Sequence, residues 1–177
     1  MRIPNREHEK HDWWVRGYAR DFELLDLWQY PIEAESEDDF ETFLRVHDMR
    51  ALVTETSVIV RGLFAFRLLL GKVFGWDGQE AELDGNASVG FDPVYRDHRE
   101  LVMRTENATV TALMHLGWVQ LENGRWTAQM AVYADPKGRL GRAYMAMIGP
   151  FRHGLVYPAL MRACRRRWER REALSLA

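Results

Sequence analysis

The dipeptide Asn123-Gly124, set between two β-rich runs, constrains this chain more than any other feature. Residues 108–121 and 125–134 alternate apolar, aromatic and small polar side chains. Asn-Gly between such runs is the strongest short hairpin signal, because a two-residue type I′ turn needs positive φ twice. With that dipeptide as loop centre, Leu121 pairs with Trp126, Val119 with Ala128 and Gly117 with Met130; His115 then pairs with Val132 and Leu113 with Ala134. Faces alternate with period two, so these five pairs share one face, apolar apart from His115. The other face carries Trp118, Leu116, Met114, Thr127, Gln129 and Tyr133. A strand over about residues 100–105 is expected to turn at Glu106-Asn107 and pair with 108–113. That register sets Glu100 opposite Leu113 and His98 opposite His115.

The rest of the chain supplies cover for such a sheet. Phe22–Trp28 reads as a first strand, ended by Pro31. Ser36-Glu37-Asp38-Asp39 is a helix start, with a Ser N-cap and carboxylates in the first turn. Phe40, Phe43 and Leu44 form the apolar face of that short helix. A second helix is expected from Thr56-Ser57 to about Phe74, followed by a Gly- and Asp-rich loop over 76–93. Residues 138–171 are helical in period, with Leu140, Tyr144, Met147, Phe151 and Leu155 on one stripe. Pro150 and Pro158 sit inside it, so a kink near Gly149-Pro150 is expected. The expected domain spans 12–172, with 1–11 and 173–177 as loose termini.

Composition narrows the class. The 177 residues are 47% hydrophobic and carry a net charge of −2, which excludes a largely disordered chain and disfavours a nucleic-acid binder. Cys164 is the only cysteine, so a disulfide scaffold is excluded. The first ten residues have no apolar core of the kind a secretory signal needs. The longest apolar stretch, Val58–Phe74, is interrupted by Arg61, Arg67 and Lys72 and is too short for a membrane span. A soluble, cytoplasmic protein is expected. Scarce lysine beside abundant arginine reads as the codon bias of a GC-rich bacterial genome.

Asp12-Trp13-Trp14-Val15-Arg16, His115-Leu116-Gly117-Trp118-Val119 and Gln129-Met130-Ala131-Val132 resemble a bacterial family, domain of unknown function 2867. Gly141-Arg142-Ala143-Tyr144-Met145-Ala146, Pro150-Phe151-Arg152-His153 and Val156-Tyr157-Pro158-Ala159-Leu160-Met161-Arg162 extend the resemblance to nearly the whole chain. It implies a START-like, polyketide-cyclase-like helix-grip fold of the α+β class. There, a curved antiparallel sheet wraps a long, Pro-kinked C-terminal helix and leaves an internal cavity. It brings no catalytic residues. Many relatives read Phe-His-Arg where this chain has Phe151-Arg152-His153, so no role transfers to that histidine.

His115 is the candidate catalytic residue. Its strand face is otherwise apolar, and an imidazole there could bond a ligand or carry a proton near neutral pH. Tyr144, on the helix stripe expected to face that sheet, could orient a carbonyl beside it. Gly117 and Met130 leave room for a ligand. Arg152 and His153 follow Pro150 at a helix restart, where unpaired backbone N–H groups welcome anions. His98, Glu100 and Arg104 alternate along the preceding strand and complete the candidate set. His8-Glu9-Lys10-His11 lacks the spacing of a zinc-protease helix and lies in the polar terminus. The arginines from Arg162 to Arg171 read as a solvated helix end. No metal or cofactor is expected. Three functions remain open. One is binding of a small apolar or amphipathic molecule. The second is a cyclase- or dehydratase-like enzyme using His115. The third is an interaction module, such as a homodimer, joined through Trp118, Leu116, Met114 and Tyr133.

Overall fold

A computed structural model describes residues 1–48, 52, 55, 91–106 and 109–171, without the side chains of Leu140 and Tyr144. The helix expected at 56–74, most of the loop after it and the 173–177 terminus lie outside the described residues. The N-terminal segment carries two short helices, α1 (Arg6–Glu9) and α2 (Trp14–Tyr18). The first strand, β1 (Glu23–Gln29), leads through a 3-10 turn (Glu37–Asp39) into α3 (Phe40–Val46). Then come β2 (Asp92–Arg96), β3 (Glu100–Glu106), β4 (Val110–Gln120) and β5 (Trp126–Pro136). A helical rod closes the chain: α4 (Gly138–Phe151), a π-helical stretch (Arg152–Val156) and α5 (Tyr157–Glu169). The strands form one antiparallel sheet in the order β1-β5-β4-β3-β2. This is the expected α+β class, consistent with a helix grip. Among the described residues no helix is long and apolar enough to cross a membrane.

The β4–β5 hairpin exists, but its register is one residue away from the expected one. His115 faces Ala131, Gly117 faces Gln129 and Trp118 faces Ala128. The turn explains the slip. Gly124 has φ +81°, whereas Asn123 does not have positive φ, so the type I′ turn is absent. Gly124 N–H donates to Leu121 O at 2.9 Å and Leu121 N–H to Arg125 O at 2.7 Å. These bonds define a three-residue loop, a type I turn closed by a left-handed glycine. One added loop residue turns every β5 side chain to the other face. Met130 and Val132 therefore join Trp118, Leu116 and Met114, while Tyr133 and Ala131 join Leu113 and Val119. The β3–β4 pairing is displaced by four residues, with Glu100 opposite Gly117 and Val102 opposite His115. An even displacement keeps Glu100 on the His115 face.

Both faces are covered, and the covers differ from those expected. The C-terminal rod lies on the Trp118 face. Its buried stripe is Tyr157, Leu160, Met161, Cys164 and Trp168 in α5. Met147, Phe151 and Leu155, expected against the sheet, are 56%, 50% and 42% exposed. The supposed outer patch is core: Trp118 packs against Phe40 and Phe43 of α3 and against Trp168. The opposite face, with His115, lies under the N-terminal segment. Residues 1–11, expected to be loose, are tied to β1 by Ile3 N–H to Leu27 O at 3.0 Å and Gln29 N–H to Met1 O at 2.8 Å.

Local signals elsewhere perform as read. Ser36 caps its turn, accepting from Asp38 N–H at 3.1 Å while its own N–H donates to Asp39 at 3.2 Å. The rod continues past Pro150, and the distortion expected there takes the form of the π-helical stretch immediately after it. Pro158 falls in the first turn of α5, where a missing N–H costs little. The arginine-rich end is not merely solvated. Arg167 and Arg170 reach Glu55 at 2.9 and 3.1 Å, and Arg167 also donates to Val46 O.

Two glycines in the rod have opposite roles. A Cβ on Gly141 would stand 2.2 Å from Thr109 O, so α4 approaches the β3–β4 connection at backbone distance. Gly154 is exposed with nothing within 4 Å of such a Cβ. Gly141→Ala is expected to destabilise by about 3 kcal/mol, and Gly154→Ala to stabilise by about 0.5–1 kcal/mol. Urea denaturation of the two variants checks both signs.

Candidate functional site

Two polar centres are built into this fold, one under each cover. The first grows from an irregularity in β1. Leu24-Leu25-Asp26-Leu27-Trp28 would alternate with Leu24 and Asp26 on one face. A β-bulge between Leu24 and Asp26 breaks that alternation. Leu24 and Leu27 then both face the N-terminal segment, and Asp26 turns with Trp28 toward the rod. Re-aiming a side chain in this way is a common use of a bulge.

Asp26 is fully buried and meets two arginines and a histidine. His153 Nε2 contacts Oδ1. Arg152 approaches Oδ2 at 3.4 Å, and Arg2 approaches Oδ1 at 3.6 Å. Arg152 and His153 open the π-helical stretch, whose altered turn sets consecutive side chains on one acceptor. Their side chains are 17% and 33% exposed, so solvent reaches the site from the rod side. Tyr157, one turn on, packs its ring against Trp28 at 5.4 Å, and burial raises its hydroxyl pKa to about 12. It stays a neutral phenol. The Arg152 Nε atom is buried without a hydrogen-bond partner among the described residues. Two guanidiniums and one carboxylate leave at least one positive charge in excess.

The second centre is the one expected at His115, but its surroundings are different. His115 is fully buried, and so are His8 and Glu100. His115 Nδ1 lies 3.1 Å from His8 Nε2, and His8 Nδ1 lies 3.3 Å from the Tyr133 hydroxyl. His115 Nε2 stands 3.0 Å from Glu100 Oε2, at ion-pair distance but outside hydrogen-bond alignment. Glu100 Oε1 accepts from Trp14 N–H at 2.8 Å. Burial, with His115 beside it, lowers the His8 pKa to about 3. Burial also lowers that of His115, against the opposing pull of Glu100. Both imidazoles are therefore neutral at pH 7. One directional chain then joins them, with Tyr133 donating to His8 and His8 to His115, whose remaining N–H faces Glu100.

Gly117 is not the widest point of a cavity. A Cβ there would stand 2.9 Å from Trp13 Cζ2 and 2.8 Å from His115 Cε1, so the Trp13 indole occupies the space over this glycine. The remaining candidates do not converge. Met130 lies in the core on the rod face, accepting from the Tyr30 hydroxyl at 3.7 Å. His98 is exposed at the β2–β3 bend, 3.6 Å from Glu37. Arg104, half-exposed, pairs with Glu106. The Tyr144 side chain lies outside the described residues, and its helix packs on the face opposite His115. Among the described candidates, Arg152 comes together with His153, and His115 with Gly117 and Glu100.

Three contributors were not picked from the sequence. Asp26 had a legible signal, an acidic residue inside an apolar strand, since aspartate is almost never buried unpaired. His8 had none, because its partners lie more than a hundred residues away. Trp13 stands in a motif that carries the family resemblance, which does not say what its ring covers. Cys164 is buried, with its thiol pushed up to about 12, and is chemically quiet. Among the described residues no group of three metal-ligating side chains is placed to hold an ion.

The chain belongs to the family described as protein of unknown function (DUF2867), which it matches over residues 18–159. The motifs read from the sequence implied that family. No curated protein and no solved structure matches the chain. The matched span contains Asp26, Glu100, His115, Arg152 and His153, and it begins after His8 and Trp13.

The two centres differ in what their loss costs. His115→Leu strands both Glu100 and His8 in the interior and should destabilise by about 1–3 kcal/mol. Asp26→Asn removes the counter-charge that Arg152 has among the described residues, yet water reaches its partners. Its cost should be about 2–3 kcal/mol, below that of a sealed pair. Chemical denaturation at pH 7 measures both. Glu100→Leu combined with His115→Leu should cost less than the sum, by roughly 1 kcal/mol or more.

Proposed function

We propose that this protein binds a small amphipathic molecule through an anionic group held at Asp26, Arg152 and His153. The observation that carries this reading is the excess of cationic groups around one buried carboxylate, together with the unpartnered Arg152 Nε. A half-enclosed positive charge without a full set of partners is stabilised by an incoming anion. Asp26 orients the cations, and the ligand completes their hydrogen bonding. Exposed Met147, Phe151 and Leu155 run along the same rod, Phe151 being the neighbour of Arg152. A hydrocarbon tail attached to the anion has apolar surface there to lie on. The reading keeps the small-ligand function drawn from the sequence and moves its site to the rod edge.

A second reading rests on the contact between His153 and Asp26. A solvent-reached imidazole oriented by a buried carboxylate suits general acid–base chemistry. His115 supports the enzyme reading less, because its ring is enclosed on every side.

Isothermal titration with acetate, decanoate, phosphate and decyltrimethylammonium tests the binding reading. Decanoate should bind at least tenfold more tightly than acetate, since each buried methylene contributes about 0.8 kcal/mol. Arg152→Gln should weaken decanoate at least tenfold, as loss of a charge-assisted bond costs about 1.5–3 kcal/mol. Equal binding of the cationic amphiphile, or no loss on removing Arg152, would overturn the reading.

A further inference from the structure

The N-terminal residues 1–22 lie on the sheet as a strap, with Trp13, Val15 and Ala19 packed into the apolar cluster beneath them and a set of polar contacts along their length. Its two helices have four and five residues, too short to be stable alone. Backbone bonds tie Met1 and Ile3 to β1, and Asn5 donates to Leu24 O at 2.8 Å. Trp14 N–H is held by Glu100. The Trp13 indole fills the dimple over Gly117, 4.9 Å from the His115 ring. Among the described residues, the strap's centre is joined to the sheet by hydrogen bonds through His8, to His115 on β4 and to Tyr133 on β5.

We infer that His8 is a proton-operated latch: protonation of the His8–His115 pair releases the strap and uncovers the apolar sheet face beneath it. The geometry allows one proton between the two facing nitrogens. With both rings doubly protonated, two N–H groups point at each other across 3.1 Å in a buried site. Among the described residues, no acidic side chain is paired with His8 to offset that charge. It faces His115 from β4 and Tyr133 from β5, with Arg16 and His11 in the strap itself, and both of these disfavour its protonation. Glu100 and Asp97, from the β3 edge, face His115 and favour a proton there. The second proton is therefore the one the closed strap excludes.

The sign follows from these environments. His8 titrates near 3 in the closed strap and near 6.5 once free, so closure is at full strength above pH 6.5 and weakens as pH falls toward 3. One such histidine multiplies the opening constant by about thirtyfold between pH 7.5 and pH 5, and a second adds to it. The uncovered face would be Val102, Leu113, Val119 and Ala131, with Glu100 and His115 at its middle. The latch shares Arg2 with the anion site proposed at Asp26, but neither Arg152 nor His153.

Hydrogen exchange by mass spectrometry on the intact chain tests it, with rates corrected for the intrinsic effect of pH. Strap amides, Trp14 among them, should lose protection by at least thirtyfold from pH 7.5 to pH 5 while β4 and β5 amides keep theirs. His8→Phe, which cannot titrate, should flatten that dependence in the strap. Tyr133→Phe, which leaves both imidazoles in place, should retain it. The inference is overturned if strap and hairpin lose protection together, if strap protection is unchanged with pH, or if His8→Phe retains the full pH dependence.

Discussion

One backbone angle sets most of this structure. Gly124 at φ +81° closes a three-residue loop, and that loop decides which β5 side chains meet which cover. With a two-residue turn, Met130 and Val132 would face the N-terminal strap and Tyr133 would lie under the rod. The observed register instead gives the rod a contiguous apolar bed of Met114, Leu116, Trp118, Met130 and Val132. It also brings Tyr133 within reach of His8 on the other side. Because strand faces alternate strictly, no intermediate arrangement exists.

The sheet is thus a wall with unlike covers. On one side, α3 and α5 contribute large aromatic and aliphatic groups, and burial there is of the ordinary hydrophobic kind. On the other, the cover is a strap of short helices whose hold depends on two tryptophans and a histidine. Among the described residues, each side carries one buried carboxylate. Asp26 is directed to the rod by the β1 bulge, and Glu100 is directed to the strap by its register with Gly117. Each carboxylate draws imidazole toward it. The difference lies in water. Arg152 and His153 stay partly exposed to water, and the Arg152 guanidinium keeps its charge there. His8 and His115 are sealed, so burial holds them neutral and turns proton uptake into a mechanical event.

The rod owes its reach to an imperfection. Pro150 lacks the N–H that an unbroken α-helix would use, and the π-helical stretch after it absorbs the mismatch. That stretch is where Arg152 and His153 converge on Asp26. A β-bulge and a π-bulge, facing each other across the interface of edge strand and rod, therefore assemble one site from residues 126 positions apart (26 and 152). Deviations of this kind in otherwise regular elements are frequent at functional positions.

The sequence by itself determined the elements: the hairpin, the capped helix start at Ser36, the first strand, the long C-terminal helix and the family. Each of those signals is local, carried by turn chemistry, capping or side-chain period. Tertiary structure alone decided the faces. Asn-Gly announces a turn but permits two- and three-residue loops, and one residue reverses every assignment on β5. Helical period places Met147, Phe151 and Leu155 on a stripe without saying whether a sheet lies opposite. His8 acquires meaning only from His115 and Tyr133, more than a hundred residues distant, and Asp26 only from a bulge that moves it from one face to the other. Those choices depend on which surfaces can be covered at once, a property of the packed whole that no window of residues contains.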